Sequence, residues 1–141
     1  MQEPGRKGPY TFLMRSLEKG EVLMKIYLIM PVRAALASAQ IAASAYLATL
    51  EAQGHSVHFP PRDAPQDDPT GQRICEVHRA AMEAADEVHV LWDIDSKGSH
   101  FDLGMAYAMR KPIVPAGAPL QEVLPGKSYW AAIIAPETAC V

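Results

Sequence analysis

The sequence predicts an α/β fold, a doubly wound parallel sheet of four or five strands in the order 2-1-3-4-5, and two observations carry that reading. From Lys25 onward, short apolar runs rich in β-branched and aromatic residues alternate with helix-length segments. The segments between the runs are long enough for the crossovers, about ten residues or more, that parallel strands require. A sheet of this kind is covered by helices on both faces, and its size class is flavodoxin-like or Rossmann-like. Ligands of such sheets bind beyond the carboxyl ends of the strands, where the strand order reverses, here between strands 1 and 3.

The elements follow in order. "KIYLIMPV" (Lys25 to Val32) is the first strand, ended by Pro31. "RAALASAQIAASAYLATLEAQG" is Ala-rich, free of proline and closed by Gly54, so it reads as a helix of about five turns. "HSVHFP" is a second short strand, and "PRDAPQDDPTG" is dense in Pro, Asp and Gly and reads as a loop. "QRICEVHRAAMEAA" is a helix, "DEVHVLWD" the third strand, "SHFDLGMAYAMR" a helix and "KPIVPAG" the fourth strand. In the tail, "PLQEVLPGKSYWAAIIAPE" accommodates a short helix and a last strand around Ala132 to Ala135.

Before Met24 the character differs: "MQEPGRKGPYTFLMRSLEKGEVL" mixes Gly, Pro and both charges. Residues 1–23 therefore read as an N-terminal extension, and 24–141 as a single domain. Two accounts of the extension stand side by side. It is an arm, disordered or with a short helix over Tyr10 to Lys19, or it is translated from upstream of a start at Met24, since "KGEV" can be encoded by a purine-rich stretch of ribosome-binding type.

Bulk properties narrow the function. The chain has 141 residues, 49% of them apolar and 21% charged, the balance of an ordinary globular protein with room for a core. Its net charge is −3 and no Lys/Arg cluster appears, which argues against a nucleic-acid polymer as partner. No apolar run approaches the roughly 18 residues of a membrane span. Cys75 and Cys140 have neither CxxC nor Cys/His spacing, so a reducing cytoplasmic setting is the simplest reading. His55 and His58 are spaced HxxH, but successive strand residues face opposite ways, so they do not suggest a metal site. Nothing else in the sequence points to a cofactor.

Asp102, between Phe101 and Leu103, poses the main question. With a helix beginning at Ser99, Ser99 is the N-cap and Asp102 the third helical residue, a shortened capping box that also suits the helix dipole. The other reading is functional: an acid at a helix start beside the switch point faces the ligand cleft. Composition alone leaves both open.

The stretch "GSHFDLGMAYAMRKPIV", with "VHVLWDIDS" before it and "KIYLIMPVR" at the start of the domain, resembles the nucleoside 2-deoxyribosyltransferase superfamily, which includes deoxyribonucleoside 5′-monophosphate N-glycosidases. The resemblance spans most of Lys25 to Val114 and is strongest where the acid, Gly104, Ala108 and Lys111-Pro112 stand at the family's offsets. It implies that Asp102 is a nucleophile that attacks the anomeric carbon of a deoxyribose, expels the base and holds a glycosyl-enzyme until water or a second base resolves it. A carboxylate fits that work, because breaking an N-glycosidic bond builds oxocarbenium-like charge on the sugar. The resemblance further implies that Tyr27 orients the nucleophile, that Arg33 grips a 5′-phosphate, that Ser96 belongs to a phosphate loop and that Asp93 lies near the base. The N–H groups of Lys97 to Ser99, with Gly98 permitting close backbone approach, would form an anion nest at a helix start. Gly104 would let the helix pack tightly on a neighbour. Homo-oligomerisation is also implied, although the polar residue that family members donate across a subunit interface has no equivalent in "YWAAIIAPETACV".

Two departures qualify the likeness. The family's acid is usually Glu, so Asp102 places its carboxylate on the order of 1 Å short, a displacement that can cost a hundredfold in rate. The Asp that helps to protonate the base is replaced, by offset, with His78, with Glu76 and Glu83 nearby; His78 is either a general acid or a surface residue of its helix. Three readings follow: an N-glycosidase or deoxyribosyltransferase acting on deoxynucleosides or their 5′-monophosphates, a nucleotide-binding module that cleaves nothing, and a relative in fold alone with Asp102 as a capping acid.

Overall fold

The computed structural model describes residues 22–32 and 37–116. Four short strands form one parallel sheet: β1 (Lys25–Ile29), β2 (Ser56–His58), β3 (Glu87–Val90) and β4 (Ile113–Pro115). Their spatial order is β2-β1-β3-β4, and every adjacent pair is parallel. This is the flavodoxin-like order read from the sequence, with the reversal between β1 and β3. The expected fifth strand around Ala132 to Ala135, the extension up to Glu21 and Arg33 all lie outside the described residues.

The helices are α1 (Ala37–Ala52), α2 (Pro60–Asp63), α3 (Gln72–Ala84) and α4 (Lys97–Ala108). Alternation along the strands decides which face each helix covers. Ile26 and Leu28 of β1 and Val57 of β2 meet Ala43, Leu47 and Leu50 of α1. Tyr27 and Ile29, with Val88, Val90 and Ile113, meet Met82 of α3 and Leu103 and Ala106 of α4. Both faces of β1 and β3 are thus closed, and all four residues of β3 are buried.

Two expectations about local structure are corrected. The Pro/Asp-rich segment after β2 is not all loop: Pro60 and Pro61 start the single turn of α2, where a missing N–H costs nothing. The helix of the SHFD stretch starts at Lys97, two residues before Ser99, because the Ser96 side chain, not that of Ser99, accepts the Ser99 backbone N–H at 3.2 Å.

Gly54 ends the turn after α1 with a φ of +93°, and a Cβ there would stand 2.7 Å from the Leu23 side chain. Substituting Gly54→Ala is expected to cost about 1–2 kcal/mol, mostly backbone strain because exposed Leu23 can move aside. A urea titration measures it.

Candidate functional site

Asp102 is the sixth residue of α4, a full turn beyond the N-cap, so it caps nothing. Its side chain turns to the sheet. The hydroxyl of Tyr27 donates to Asp102 Oδ2 at 2.9 Å, linking residues 75 apart in sequence inside a buried environment. Nδ1 of His78, from α3, stands 3.5 Å from the same oxygen. No hydrogen bond or ion pair among the described residues engages Oδ1. One carboxylate oxygen is fixed from two sides and the other is left available.

Tyr27 is fully buried at the middle of β1, and its hydroxyl stays protonated. Burial raises its pKa most, and the negative charge and hydrogen bond of Asp102 raise it further. It therefore serves as a fixed donor to the Asp102 carboxylate.

A further group belongs to this cluster. His58, the last residue of β2, is the register partner of Tyr27, so the two side chains share a face. Its imidazole stacks on the Tyr27 ring, with centroids 5.0 Å apart and planes at 23°. The His78 ring stands edge-on to both, 5.8 Å from Tyr27 and 5.5 Å from His58. Nε2 of His58 and Nε2 of His78 are both buried without a hydrogen-bond partner. Sequence reading weighed His58 only as half of an HxxH pair; the signal it missed was cross-strand pairing, which puts His58 beside Tyr27 once the register is known. His55 is elsewhere, its Nδ1 accepting the Met24 N–H at 3.1 Å. Among the described residues no group of three His, Cys, Asp or Glu side chains could hold a metal ion.

Burial lowers the pKa of His58 below the ordinary histidine value of 6.5, and the neighbouring His78 lowers it further. In the window between that lowered value and 6.5 the unfolded chain takes up a proton at this position and the folded chain does not. Folded stability therefore falls as pH drops through that window and levels off once the folded form is also protonated. Comparing urea midpoints from pH 7 downward, this part of the slope is expected in the native protein and absent from His58→Phe.

The other expected contacts are distributed unevenly. Ser96 is the N-cap of α4, and Ser99, in the first turn, is buried with an Oγ that has no partner. Asp93 organises the loop before α4: its Oδ1 accepts the Asp95 N–H at 2.9 Å and its carbonyl the Ser96 N–H at 3.1 Å. A Cβ on Gly98 would meet nothing within 4 Å, so the protein itself does not require glycine there. The same is true of Gly104, which is exposed, and the tight packing expected of it is not found among the described residues. Lys111 of the Lys-Pro pair reaches back to the end of α3, donating to the carbonyls of Glu83 at 2.9 Å and Ala85 at 2.7 Å. Cationic donors at a helix C-terminus satisfy carbonyls that the helix leaves open.

These features define a class: a flavodoxin-like α/β protein whose α4 presents a held carboxylate to a tyrosine of the first strand. Two solved structures share the fold. One is a 2-deoxyribosyltransferase from Bacillus psychrosaccharolyticus, 21% identical, with a TM-score of 0.54 over 69% of this chain and 77% of the other. The second is the CMP N-glycosidase BcmB of Clostridium botulinum, 19% identical, with a TM-score of 0.55 over 79% of this chain and 80% of the other. No protein-family model matches the sequence, and no curated protein matches it in sequence.

Proposed function

We propose that the protein cleaves or transfers at the N-glycosidic bond of a 2′-deoxynucleoside or its 5′-monophosphate, with Asp102 as nucleophile. The observation that carries this reading is the state of Asp102: a nearly buried carboxylate, one oxygen fixed by Tyr27 and the other free, on a helix that does not use it as a cap. The kinship in fold with a 2-deoxyribosyltransferase and a CMP N-glycosidase supports the same reading.

In this reaction Oδ1 of Asp102 forms a bond to the anomeric carbon as the bond from that carbon to the base nitrogen breaks. The electron pair leaves with the base, which takes up a proton from the His78 side of the site. Water, or the nitrogen of a second base, then attacks the anomeric carbon; the carboxylate is released and the attacking group's proton restores the imidazole. The N–H groups at the start of α4, the Ser99 hydroxyl and Arg33 are the groups that would receive a 5′-phosphate. The protein works as a homo-oligomer in a reducing cytoplasm, and no helix among the described residues is long and apolar enough to cross a membrane.

The test is release of free base from a panel of deoxynucleosides and their 5′-monophosphates, followed chromatographically. Release by the native chain and its loss in Asp102→Ala support the assignment. Tight nucleotide binding with no release would instead make the chain a binding module.

A further inference from the structure

We propose that His58 and His78 act as one proton-handling pair that holds at most one proton and delivers it to the leaving base. The delivery rests on the N-glycosidic reading above; the pairing stands on the geometry of the unliganded site. Two imidazoles meet edge to face at 5.5 Å, and each keeps a buried Nε2 that no protein group satisfies. Two such buried atoms are costly unless a ligand or a proton relieves them. At this separation a charge on one ring opposes a charge on the other, so their protonation is coupled and belongs to the pair.

The surroundings favour one proton over none or two. Asp102 of α4 lies 3.5 Å from His78 Nδ1 and attracts a proton to the pair. Asp63 of α2 and Asp102 act on His58 in the same direction, while Arg62 of α2 opposes them. Arg62 is itself engaged by Glu51 and Asp63, at 2.8 and 2.9 Å, which reduces its influence. Tyr27 of β1 is neutral, and among the described residues the thiol of Cys75 on α3 also acts on its hydroxyl. A second proton on the pair would meet both the burial of His58 and the like charge of the other ring.

His58 in this arrangement sets when His78 is charged, and its stack on Tyr27 keeps the donor that holds Asp102 in line. When an imidazolium Nε2 gives its proton to the base nitrogen, the pair becomes neutral; water attacking the glycosyl ester returns a proton to it. No further acid is required.

The experiment is proton NMR of the histidine ring hydrogens across a pH titration of the full chain. In His78→Gln the His58 resonance is expected to titrate at a higher pH than in the native protein, by on the order of one pH unit. His78→Asn is the second variant should the first fail to fold. An unchanged His58 titration in the folded variant overturns the pairing, as do two independent titrations in the native chain. His58→Phe keeps a ring against Tyr27 and removes the second imidazole; its base-release rate is expected to fall and the alkaline limb of its pH profile, where the proton donor is lost, to move to higher pH. A lower rate with the limb unmoved reduces His58 to packing and overturns the proposal. Should the native chain release no base, the function fails while the NMR titration still decides the pairing.

Discussion

Asp102→Asn is expected to lower base release by about a thousandfold or more while leaving the protein folded. The amide keeps the shape of the carboxylate and still offers Oδ to the Tyr27 hydroxyl, whose present bond is 2.9 Å long. It removes the negative charge that stabilises an oxocarbenium-like sugar and the oxygen that captures the anomeric carbon. Tyr27→Phe is the informative companion. It leaves the charge but frees its orientation, and misplacement on the order of 1 Å costs about a hundredfold. Rates fall in both variants, but only Asp102→Asn loses the covalent intermediate. Trapping with a slow substrate and intact-mass analysis separates them: a glycosyl adduct on the Tyr27 variant with none on the Asp102 variant is the expected result. Equal release by the native and Asp102→Asn proteins would end the nucleophile assignment.

The second large effect is on stability and lies on the opposite face of the sheet. Glu87 and His89 are fully buried under α1, with His89 Nε2 2.7 Å from Glu87 Oε2. The hydroxyl of Tyr46 meets His89 Nδ1 at 2.6 Å, and its pKa is pushed up to about 12, first by burial and then by the Glu87 charge. Glu87 Oε1 has no partner, so the pair is only partly compensated. Replacing His89 alone by leucine strands the carboxylate and is expected to cost about 3–5 kcal/mol. Replacing Glu87 and His89 together by leucine removes both desolvation costs, and the double variant is expected to recover most of that loss. Urea denaturation of the two variants measures the difference. A His89→Leu protein as stable as the native one would overturn the account of a stranded buried charge.

The sheet was legible because each strand carries an apolar run and each crossover is too long for a hairpin. β3 is the clearest instance: "EVHV" is buried along its whole length, as a central strand of a doubly wound sheet must be. The start of α4 was misread because Ser96 and Ser99 are equally good caps in sequence, and only the local backbone chooses Ser96. That three-residue shift of the cap matters, since it moves Asp102 from the third to the sixth helical residue and removes its reason to be a cap. His58 was missed for a different reason. Its partner Tyr27 is a neighbour through strand register, and register between parallel strands depends on the packing of both faces. The buried Glu87–His89 pair was likewise invisible, because an E-x-H pattern in a strand reads equally well as an exposed face.

Lys111 gives the motif's Lys-Pro ending a different meaning. The helix that carries Asp102 ends three residues before a side chain that grips the end of the helix carrying His78. The two chemical groups are thereby set by one stretch of chain acting as a gauge block between their supports, and the separation of acid and imidazole is a dimension of the scaffold.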